Sequence, residues 1–186
     1  TWLHPSDFYG VFIKLMCPKV TLLWNIRCSK LIYPIVGFKN ILLVKILSRL
    51  SKYPDLILSN SFSGIKEHIR LGYKPKEIKI IPNGFDLKYY SPNHNLAKFY
   101  RKEFRLNQND FVIGFVGKYN KIKGIEKFIL TANVALKKFS NWKFVLIGRD
   151  LTYENKDLIN LLKKYKICQN FRLLGERQDV NKILCS

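Results

Sequence analysis

Short apolar runs alternate with longer amphipathic stretches along almost the whole chain. The runs are rich in Ile, Val, Leu and Phe and are bounded by turn residues, which is typical of strands buried in a sheet. The longer stretches carry apolar residues three or four positions apart, which is typical of helices that pack through one face. The pattern predicts strands at residues 20–26, 55–59, 77–81, 111–116, 142–148 and 170–174. It predicts helices at residues 7–16, 38–50, 61–71, 96–104, 125–139, 155–165 and 178–184.

This alternation indicates an α/β fold. Strands that are separated by helices of ten or more residues form parallel sheets with helices on both faces. The carboxyl ends of such strands share one edge, where open sheets of this kind bind their ligands. The helix at 61–71 is expected to begin at a cap formed by Ser61 or Asn60. The polar stretches at 82–92 and 107–110 are the best signals of a domain boundary.

One connection from strand to helix has the composition of a phosphate-binding loop. Gly117 and Lys118 follow the strand at 111–116, and Lys123 and Gly124 precede the next helix. Glycine lets the backbone approach an anion, a helix start offers N–H donors, and lysine adds positive charge. The alternative is an ordinary tight turn in a lysine-rich chain. The spacing matches neither a P-loop nor the G-x-G-x-x-G dinucleotide fingerprint.

Few other residues are candidates for chemistry. Arg149 follows the next strand and would add a second contact to an anion at that edge, although a solvated loop arginine is the alternative. The four cysteines show no C-x-x-C pair, so the sequence predicts no metal site. It predicts instead that the cysteines are free thiols in a reducing compartment. His68 and His94 are expected to be solvated.

A second marker lies upstream, in the segment Ile80-Ile81-Pro82-Asn83-Gly84-Phe85-Asp86. Together with the Gly117 loop it resembles the retaining glycosyltransferases of family 4, or group 1, which use nucleotide sugars and have the GT-B fold. In that family an I-P-N-G-h-D segment closes the first domain, and a V-G-R/K…K-G segment opens the second. Residues 54–61, 144–148 and 171–175 resemble further family segments. Residues 2–4 and 24–29 resemble a branch that builds bacterial surface polysaccharides.

The resemblance implies sugar transfer from a nucleotide-sugar donor to a glycan or lipid-linked acceptor, without a metal or other cofactor. Lys118 takes the position where the family most often has arginine, and Lys123 takes that of the family's lysine. Both are implied to stabilise the charge that grows on the diphosphate leaving group during transfer. Gly117 and Gly124 belong to the same segment and are expected to contact the substrate.

The acceptor-side residues depart from the majority pattern of the family. Arg27 stands where many members have a histidine near the acceptor, and it is therefore a candidate catalytic residue. His4 is the other candidate on that side. Asn83, in the I-P-N-G segment, is expected to contact the substrate.

The resemblance also predicts the domain organisation. Residues 1–87 are assigned to the C-terminal part of the acceptor-side domain, and residues 88–186 to the N-terminal part of the nucleotide-sugar domain. The family's donor domain continues into a segment with two glutamates that bind sugar and ribose, and the chain ends before it. The chain is therefore expected to be a central piece of a longer enzyme and not a competent transferase by itself.

Composition adds a strong positive charge to this picture. The chain has 33 Lys and Arg against 13 Asp and Glu, a net charge of +20 that is spread over both parts. Nucleic-acid binders tend to gather charge on a stripe or arm, and no helix-turn-helix, zinc or RNP-type motif is present. We therefore predict no nucleic-acid partner. An anionic membrane, anionic substrates and mutational bias remain alternatives for the charge, and a non-catalytic basic module that binds nucleic acid or membrane is the alternative function.

The membrane alternative centres on one helix. The most apolar window, residues 31–50, is interrupted by Lys39, Lys45 and Arg49, which are too many charges for a membrane-spanning helix. The helix at 38–50 either lies in a membrane interface or packs as an ordinary helix. The start of the chain has no signal-peptide pattern. The sequence therefore predicts a cytoplasmic protein, with peripheral association at the inner face of the plasma membrane as a further possibility.

Overall fold

A computed structural model describes residues 1–28 and 37–186 of the chain. The first part of the apolar window 31–50 and the last residue of the segment 24–29 lie outside the described residues. The chain divides into two compact units, which we call unit 1 (Thr1–Gly84) and unit 2 (Phe85–Ser186).

Unit 1 is built on a parallel sheet. Its described strands are β1 (Leu23–Ile26), β2 (Leu56–Ser59) and β3 (Ile78–Ile80), and its described helices are α1 (His4–Met16), α2 (Phe38–Leu50) and α3 (Phe62–Arg70). The strands lie in the order β1-β2-β3. Leu23 lies opposite Leu56, and Ile57 lies opposite Ile78.

The core of unit 1 follows from the periods of its strands and helices. Successive side chains of β1 point to opposite faces of the sheet, so Trp24 and Ile26 are buried whereas Leu23 is exposed. These side chains share one core with Val44 and Leu47, the two buried residues of α2. Since these two lie three positions apart, α2 packs through one face and leaves the other exposed.

Unit 2 is also built on a parallel sheet. Its strands are β4 (Phe111–Val116), β5 (Trp142–Ile147) and β6 (Phe171–Leu173), and its helices are α4 (His94–Glu103), α5 (Ile125–Leu136), α6 (Lys156–Lys164) and α7 (Val180–Leu184). The strand order is β4-β5-β6. Two short 3₁₀ turns, at Lys121–Lys123 and Cys168–Asn170, were not predicted from the sequence.

Helices cover both faces of the unit 2 sheet. On β5, Phe144 and Leu146 pack with residues of α5 and α6. The alternate residues Val145 and Ile147 pack on the other face with residues of α4 and α7. This is the arrangement that the sequence predicted for an α/β fold with helices on both faces.

Most element boundaries match the predictions closely. The bounds of α2 and β4 are those predicted, and Ser61 is the residue that caps α3, since its side chain accepts the Gly64 N–H at 3.1 Å. The start of α1 was predicted at residue 7 but lies at His4. Proline in the first turn favours helix initiation there, because the nitrogens of that turn need no hydrogen-bond partner within the helix. The end of α5 was set too late, because the chain tightens into a turn at Lys137.

Candidate functional site

The strands of unit 2 all lead into glycines at the carboxyl edge of their sheet. Gly117 and Gly148 follow β4 and β5 directly, and Gly175 follows β6 after one further residue. The Gly117 N–H donates to the Ile147 carbonyl at 2.9 Å, and the Gly148 N–H donates to the Gly175 carbonyl at 2.7 Å. These hydrogen bonds hold the three loops side by side, so their backbones form one continuous surface.

Gly148 is the position that makes this close approach possible. Its φ of +135° is one that side chains rarely adopt, and a Cβ added there would lie 1.8 Å from the Gly117 carbonyl oxygen. No residue other than glycine fits without moving the backbone. The sequence placed Gly148 at a strand end but not in this role. The available signal was the repetition of an apolar residue followed by glycine at three strand ends.

Lys118 lies on a cleft of about 560 Å³ that runs along this edge. Its side chain is exposed, and the next residue is fixed because the Tyr119 N–H donates to the Arg149 carbonyl at 2.9 Å. Glycines, charged side chains and three apolar residues line the cleft. Its lining includes Gly117, Gly148, Arg149, Glu176 and Arg177.

The loop after Lys118 closes through a 3₁₀ turn before α5 begins. The Asn120 side chain accepts the Ile122 N–H at 2.7 Å, which caps the turn. Gly124 then adopts the left-handed conformation, with φ of +71°, and directs the chain into α5. The glycine predicted as a phosphate contact therefore also has a conformational reason to be glycine.

The turn returns Lys123 to the neighbourhood of Gly117. The Cγ atom of Lys123 lies 3.8 Å from the position that a Cβ on Gly117 would take. Both Lys118 and Lys123 are exposed, and neither forms a salt bridge with any residue in 1–28 or 37–186. The structure thus puts two unpaired ammonium groups on the loop that carries Gly117.

The arginines of the cleft differ from these lysines because acidic groups already hold them. Arg149 Nε lies 3.0 Å from Glu176 Oε1, and both side chains are largely exposed, so this pair is weak. Arg177 binds Asp179 through two nitrogens at 2.8 Å and Glu103 through a third. The hydrogen bonds from Arg177 hold the pKa of Asp179 far below its usual range. Of the two arginines, Arg149 is the more weakly held.

In unit 1, two of the predicted acceptor-side residues are in contact. Arg27 Nη2 donates to Asn83 Oδ1 at 2.8 Å. The Arg27 guanidinium also lies over the Trp2 ring, 4.8 Å from its centroid, which orients an otherwise exposed side chain. Neither contact involves a carboxylate, so no acidic group among the described residues forms an ion pair with this guanidinium.

The third acceptor-side candidate, His4, lies in a different cluster. Its Nε2 lies 3.2 Å from His68 Nε2 and 3.9 Å from Cys28 Sγ. The prediction that His68 is solvated is wrong: it is only 1 % exposed, because it packs edge-on against Tyr73 at 4.9 Å and bonds to the Gly64 carbonyl. His94, in contrast, is exposed as predicted.

Burial sets the charge state of this cluster. Burial, with a smaller contribution from His68, lowers the pKa of His4 to about 4. It also lowers the pKa of His68 and raises the pKa of the Cys28 thiol. All three groups are therefore uncharged near neutral pH. Sequence reasoning missed the cluster because its members come from three distant segments without metal-ligand spacing.

The first two helices of unit 1 expose apolar side chains. On α1 the exposed residues Tyr9, Phe12, Ile13 and Met16 follow helical spacing and so share one face. Within 1–28 and 37–186, no helix has both the length and the hydropathy needed to cross a bilayer.

A sequence profile of a known family matches most of unit 2. Residues 97–185 match the sequence profile described as "Glycosyl transferases group 1". This region of the chain is similar to the group 1 glycosyltransferases. The match includes β4, the Gly117 loop and the strand ends at Gly148 and Gly175, so the described cleft lies within the matched region.

A curated protein is similar to part of the chain. The chain is 31% identical over 117 residues to the Escherichia coli UDP-Gal:alpha-D-GlcNAc-diphosphoundecaprenol alpha-1,3-galactosyltransferase. This alignment covers 59% of the chain and 29% of the relative.

Solved structures share the fold of this chain. Anabaena Alr3699/HepE in complex with UDP-glucose superposes with a TM-score of 0.76 at 19% identity, over 98% of this chain and 49% of that one. WaaG, a glycosyltransferase involved in lipopolysaccharide biosynthesis, superposes with a TM-score of 0.66 at 15% identity, over 96% of this chain and 55% of that one. These neighbours are GT-B glycosyltransferases, which confirms the predicted fold class. The chain spans about half the length of these structures.

Proposed function

We propose that this chain takes part in the transfer of a sugar from a uridine diphosphate sugar to a lipid-linked glycan acceptor. The observation that carries the proposal is the Gly117 loop of unit 2, which lies at the carboxyl edge of a parallel sheet. Lys118 follows Gly117 directly and Lys123 lies close to it, and neither lysine has a salt-bridge partner among the described residues. Ligands of open α/β sheets bind at that edge. A diphosphate is the anionic group that suits two mobile cations and a glycine backbone.

Lys118 and Lys123 would act on the leaving group. When the bond between sugar and diphosphate breaks, negative charge grows on the departing oxygen. Cations that are already in place stabilise this charge more in the transition state than in the bound substrate, and only such differential binding speeds the reaction. Arg149 would join them after exchanging Glu176 for the diphosphate, since its ion pair is exposed and weak.

The relatives suggest the chemical class of both substrates. The Escherichia coli relative is named for UDP-Gal and a GlcNAc-diphosphoundecaprenol acceptor, and the Anabaena structure contains UDP-glucose. We extend the uridine nucleotide and the diphospholipid-linked acceptor to this chain. Retention of the anomeric configuration and independence of divalent metal come with the family resemblance and belong to the same proposal.

Arg27 is the proposed acceptor-side group of unit 1. Its guanidinium is exposed, and it is oriented by Trp2 and Asn83 while no carboxylate among the described residues neutralises it. A guanidinium held in this way suits the diphosphate of a lipid-linked acceptor, because it can donate two parallel hydrogen bonds. Asn83 would position Arg27 as well as contact substrate, and His4 remains the alternative acceptor-side residue.

Calorimetric titration of UDP into the purified chain tests the donor side. Lys118→Ala and Lys123→Ala should each weaken UDP binding by about tenfold or more, which is the scale of one lost hydrogen bond to a charged group. Lys137→Ala is the matched control, because it removes one charge at the far end of α5, about 18 Å away. Omitting Mg²⁺ and Mn²⁺ should leave the affinity unchanged.

Two results would contradict this assignment. Equal weakening by Lys137→Ala would mean that UDP responds only to net charge. A strict requirement for a divalent cation would reject the metal-free site. Once transfer is observed with UDP-galactose, the anomeric signal of the product reports whether configuration is retained.

A specific observation also favours peripheral binding to anionic membranes, and we propose it as an accompanying function. The exposed face of α2 combines Phe38, Leu42 and Ile46 with basic residues. The exposed apolar face of α1 belongs to the same unit, and α1 packs against α2. An apolar face edged by cations is the pattern of interfacial helices. A lipid-linked acceptor would make this location useful.

Flotation with lipid vesicles tests the membrane proposal. The triple variant Lys39→Gln, Lys45→Gln, Arg49→Gln should lose most binding to anionic vesicles, since each cation near the surface contributes about 1 kcal/mol. Lys127→Gln, Lys137→Gln, Lys163→Gln removes the same charge from exposed positions of unit 2. Equal loss in both triples, or equal binding to neutral vesicles, would reject the proposal.

A further inference from the structure

Three side chains that can bind a metal converge in unit 1 from three separate elements. His4 is the first residue of α1, Cys28 lies two residues beyond β1, and His68 lies in α3. One possible ligand atom from each of the three residues lies within 4.8 Å of both others. His68 is buried, and the other two are half-buried.

The hydrogen bond of His68 prepares it to bind a cation. His68 Nδ1 lies 2.8 Å from the Gly64 carbonyl oxygen. Because a carbonyl can only accept, Nδ1 carries the proton and the Nε2 lone pair points toward His4 and Cys28. Metal-bound histidines usually donate their second N–H to a backbone carbonyl or carboxylate in this way, which fixes both tautomer and ring orientation.

Packing around Cys28 holds the third ligand in place. The Cys28 carbonyl oxygen lies only 3.4 Å from the position that a Cβ on Gly64 would take. The loop after β1 is therefore pressed against the helix that carries His68. Since Gly64 is also the hydrogen-bond partner of His68, one turn of α3 positions both residues.

Two of the three distances between ligand atoms are close to those of tetrahedral coordination. Zinc bonds of 2.0–2.1 Å to nitrogen and 2.3 Å to sulfur put ligand atoms roughly 3.4 Å apart for two nitrogens and roughly 3.6 Å apart for nitrogen and sulfur. The two imidazole Nε2 atoms are 3.2 Å apart, and His4 Nε2 is 3.9 Å from the sulfur. We propose that His4, Cys28 and His68 bind one Zn²⁺ ion.

The donor set selects this metal. A thiolate with two neutral imidazoles favours zinc over the harder Mg²⁺ and Ca²⁺ ions, which prefer oxygen ligands. Binding replaces the Cys28 S–H bond by a bond from sulfur to zinc, and the released proton goes to solvent. Three protein ligands leave the fourth tetrahedral position to a water molecule or an added ligand.

The site would clamp the elements that surround Arg27. It joins the first turn of α1, the loop after β1 and α3, and Arg27 is the neighbour of the ligand Cys28. The zinc therefore fixes the backbone next to the proposed acceptor-side arginine. This inference does not rest on the proposed transfer reaction, and its test requires neither UDP nor an acceptor.

The competing explanation is a direct hydrogen bond between the two imidazoles. His4 Nε2–H would then donate to the lone pair of His68 Nε2 at 3.2 Å, and no metal would be needed. The two explanations differ in metal content, in thiolate ligation and in proton release, so one set of measurements separates them.

The experiment uses the untagged 186-residue chain, loaded with zinc and dialysed against metal-free buffer. Elemental analysis should find about one zinc per chain, and binding in weak buffer should release about one proton. Substituting cobalt should give a charge-transfer band from thiolate to metal. Zinc should also raise the melting temperature, since a ligand of the folded state stabilises it.

Variants locate the metal and control for misfolding. Cys28→Ser and His4→Gln should each lower zinc affinity at least about a hundredfold, since loss of even an outer partner costs tenfold to a hundredfold. Cys17→Ser is the matched control, because Cys17 is an exposed free thiol of the same unit. Circular dichroism checks that each variant folds. Less than about a tenth of an equivalent of zinc in the folded parent chain, or equal loss with Cys17→Ser, would overturn the site.

Discussion

The two units build their candidate sites in opposite ways. Unit 2 uses backbone: Gly117, Gly148 and Gly175 lie at the ends of adjacent strands, and hydrogen bonds between their loops shape the cleft. Unit 1 uses side chains: the histidine and cysteine cluster joins residues up to 64 positions apart. A site made from successive strand ends leaves a local sequence pattern, whereas a site made by tertiary packing leaves none. Sequence motifs can therefore reveal a site of the first kind, but not one of the second kind.

The largest expected effect tests the backbone construction of unit 2. Gly148→Ala should destabilise the chain by about 4 kcal/mol, because it adds a steric clash with the Gly117 carbonyl to an unfavourable φ. Urea unfolding measures the loss, and UDP binding should fall with it. Gly114→Ala is the control, since a Cβ at that strand position meets nothing within 4 Å. Similar costs at both positions would mean that the close approach of the loops does not matter.

The second-largest effect tests how a buried ionisable group, the carboxyl of Asp7, contributes to the stability of unit 1. Burial raises the pKa of Asp7 from 3.8 to about 6. The folded state thus holds a proton that the unfolded state releases, so this group's contribution to stability is complete below pH 3.8 and is lost as the pH rises through 6. Asp7→Asn removes this loss and should stabilise the chain by about 3 kcal/mol at pH 7 but little at pH 3.5.

The matched control for Asp7→Asn is Asp86→Asn, which changes an exposed aspartate. Urea unfolding at several pH values should show a pH-dependent gain for the first variant alone. A gain of equal size at pH 3.5 and pH 7 would disprove the role of the Asp7 proton. His4 shifts stability in the opposite direction over the same range, because its lowered pKa makes folding less favourable as the pH falls.

The smallest effect concerns a helix cap that supports the side-chain site of unit 1. Ser61→Ala should cost about 1 kcal/mol, because the Gly64 N–H loses its acceptor at the start of α3. Asn155→Ala removes the equivalent cap of α6 in unit 2 and should cost about as much. Zinc affinity should fall only with Ser61→Ala, since α3 carries His68. A fall in both variants would mean that zinc affinity merely follows global stability.

Much of the fold could be predicted because local patterns dominate it. The bounds of α2 and β4 came directly from the apolar spacing and the flanking turn residues. Errors occurred at helix ends. Pro5 sets the start of α1, and the tightened hydrogen bonding at Lys137 sets the end of α5. The parallel direction of the strands followed from their separation by helices, without information about individual side chains.

The candidate sites could be predicted only in part. Lys118, Lys123 and Gly117 belong to one loop, so their proximity follows from the chain itself. Their roles stay predictions, as do those of Arg27 and Asn83, which the structure brings into contact. The burial of His68 could not be predicted, because helix position alone does not tell which neighbour covers a face. The need for glycine at 148 depends on a contact with another loop.

The packing of β5 has a consequence for how this chain can vary. Four successive side chains, from Phe144 to Ile147, are at most 3 % exposed because both faces of the strand lie under helices. In a strand with one solvent-exposed face, every second position tolerates substitution, whereas none of these four positions does. Mutational scanning should therefore find its longest intolerant stretch here, next to the Gly148 that shapes the cleft. In this segment, selection for folding and selection for ligand binding would act on adjacent codons.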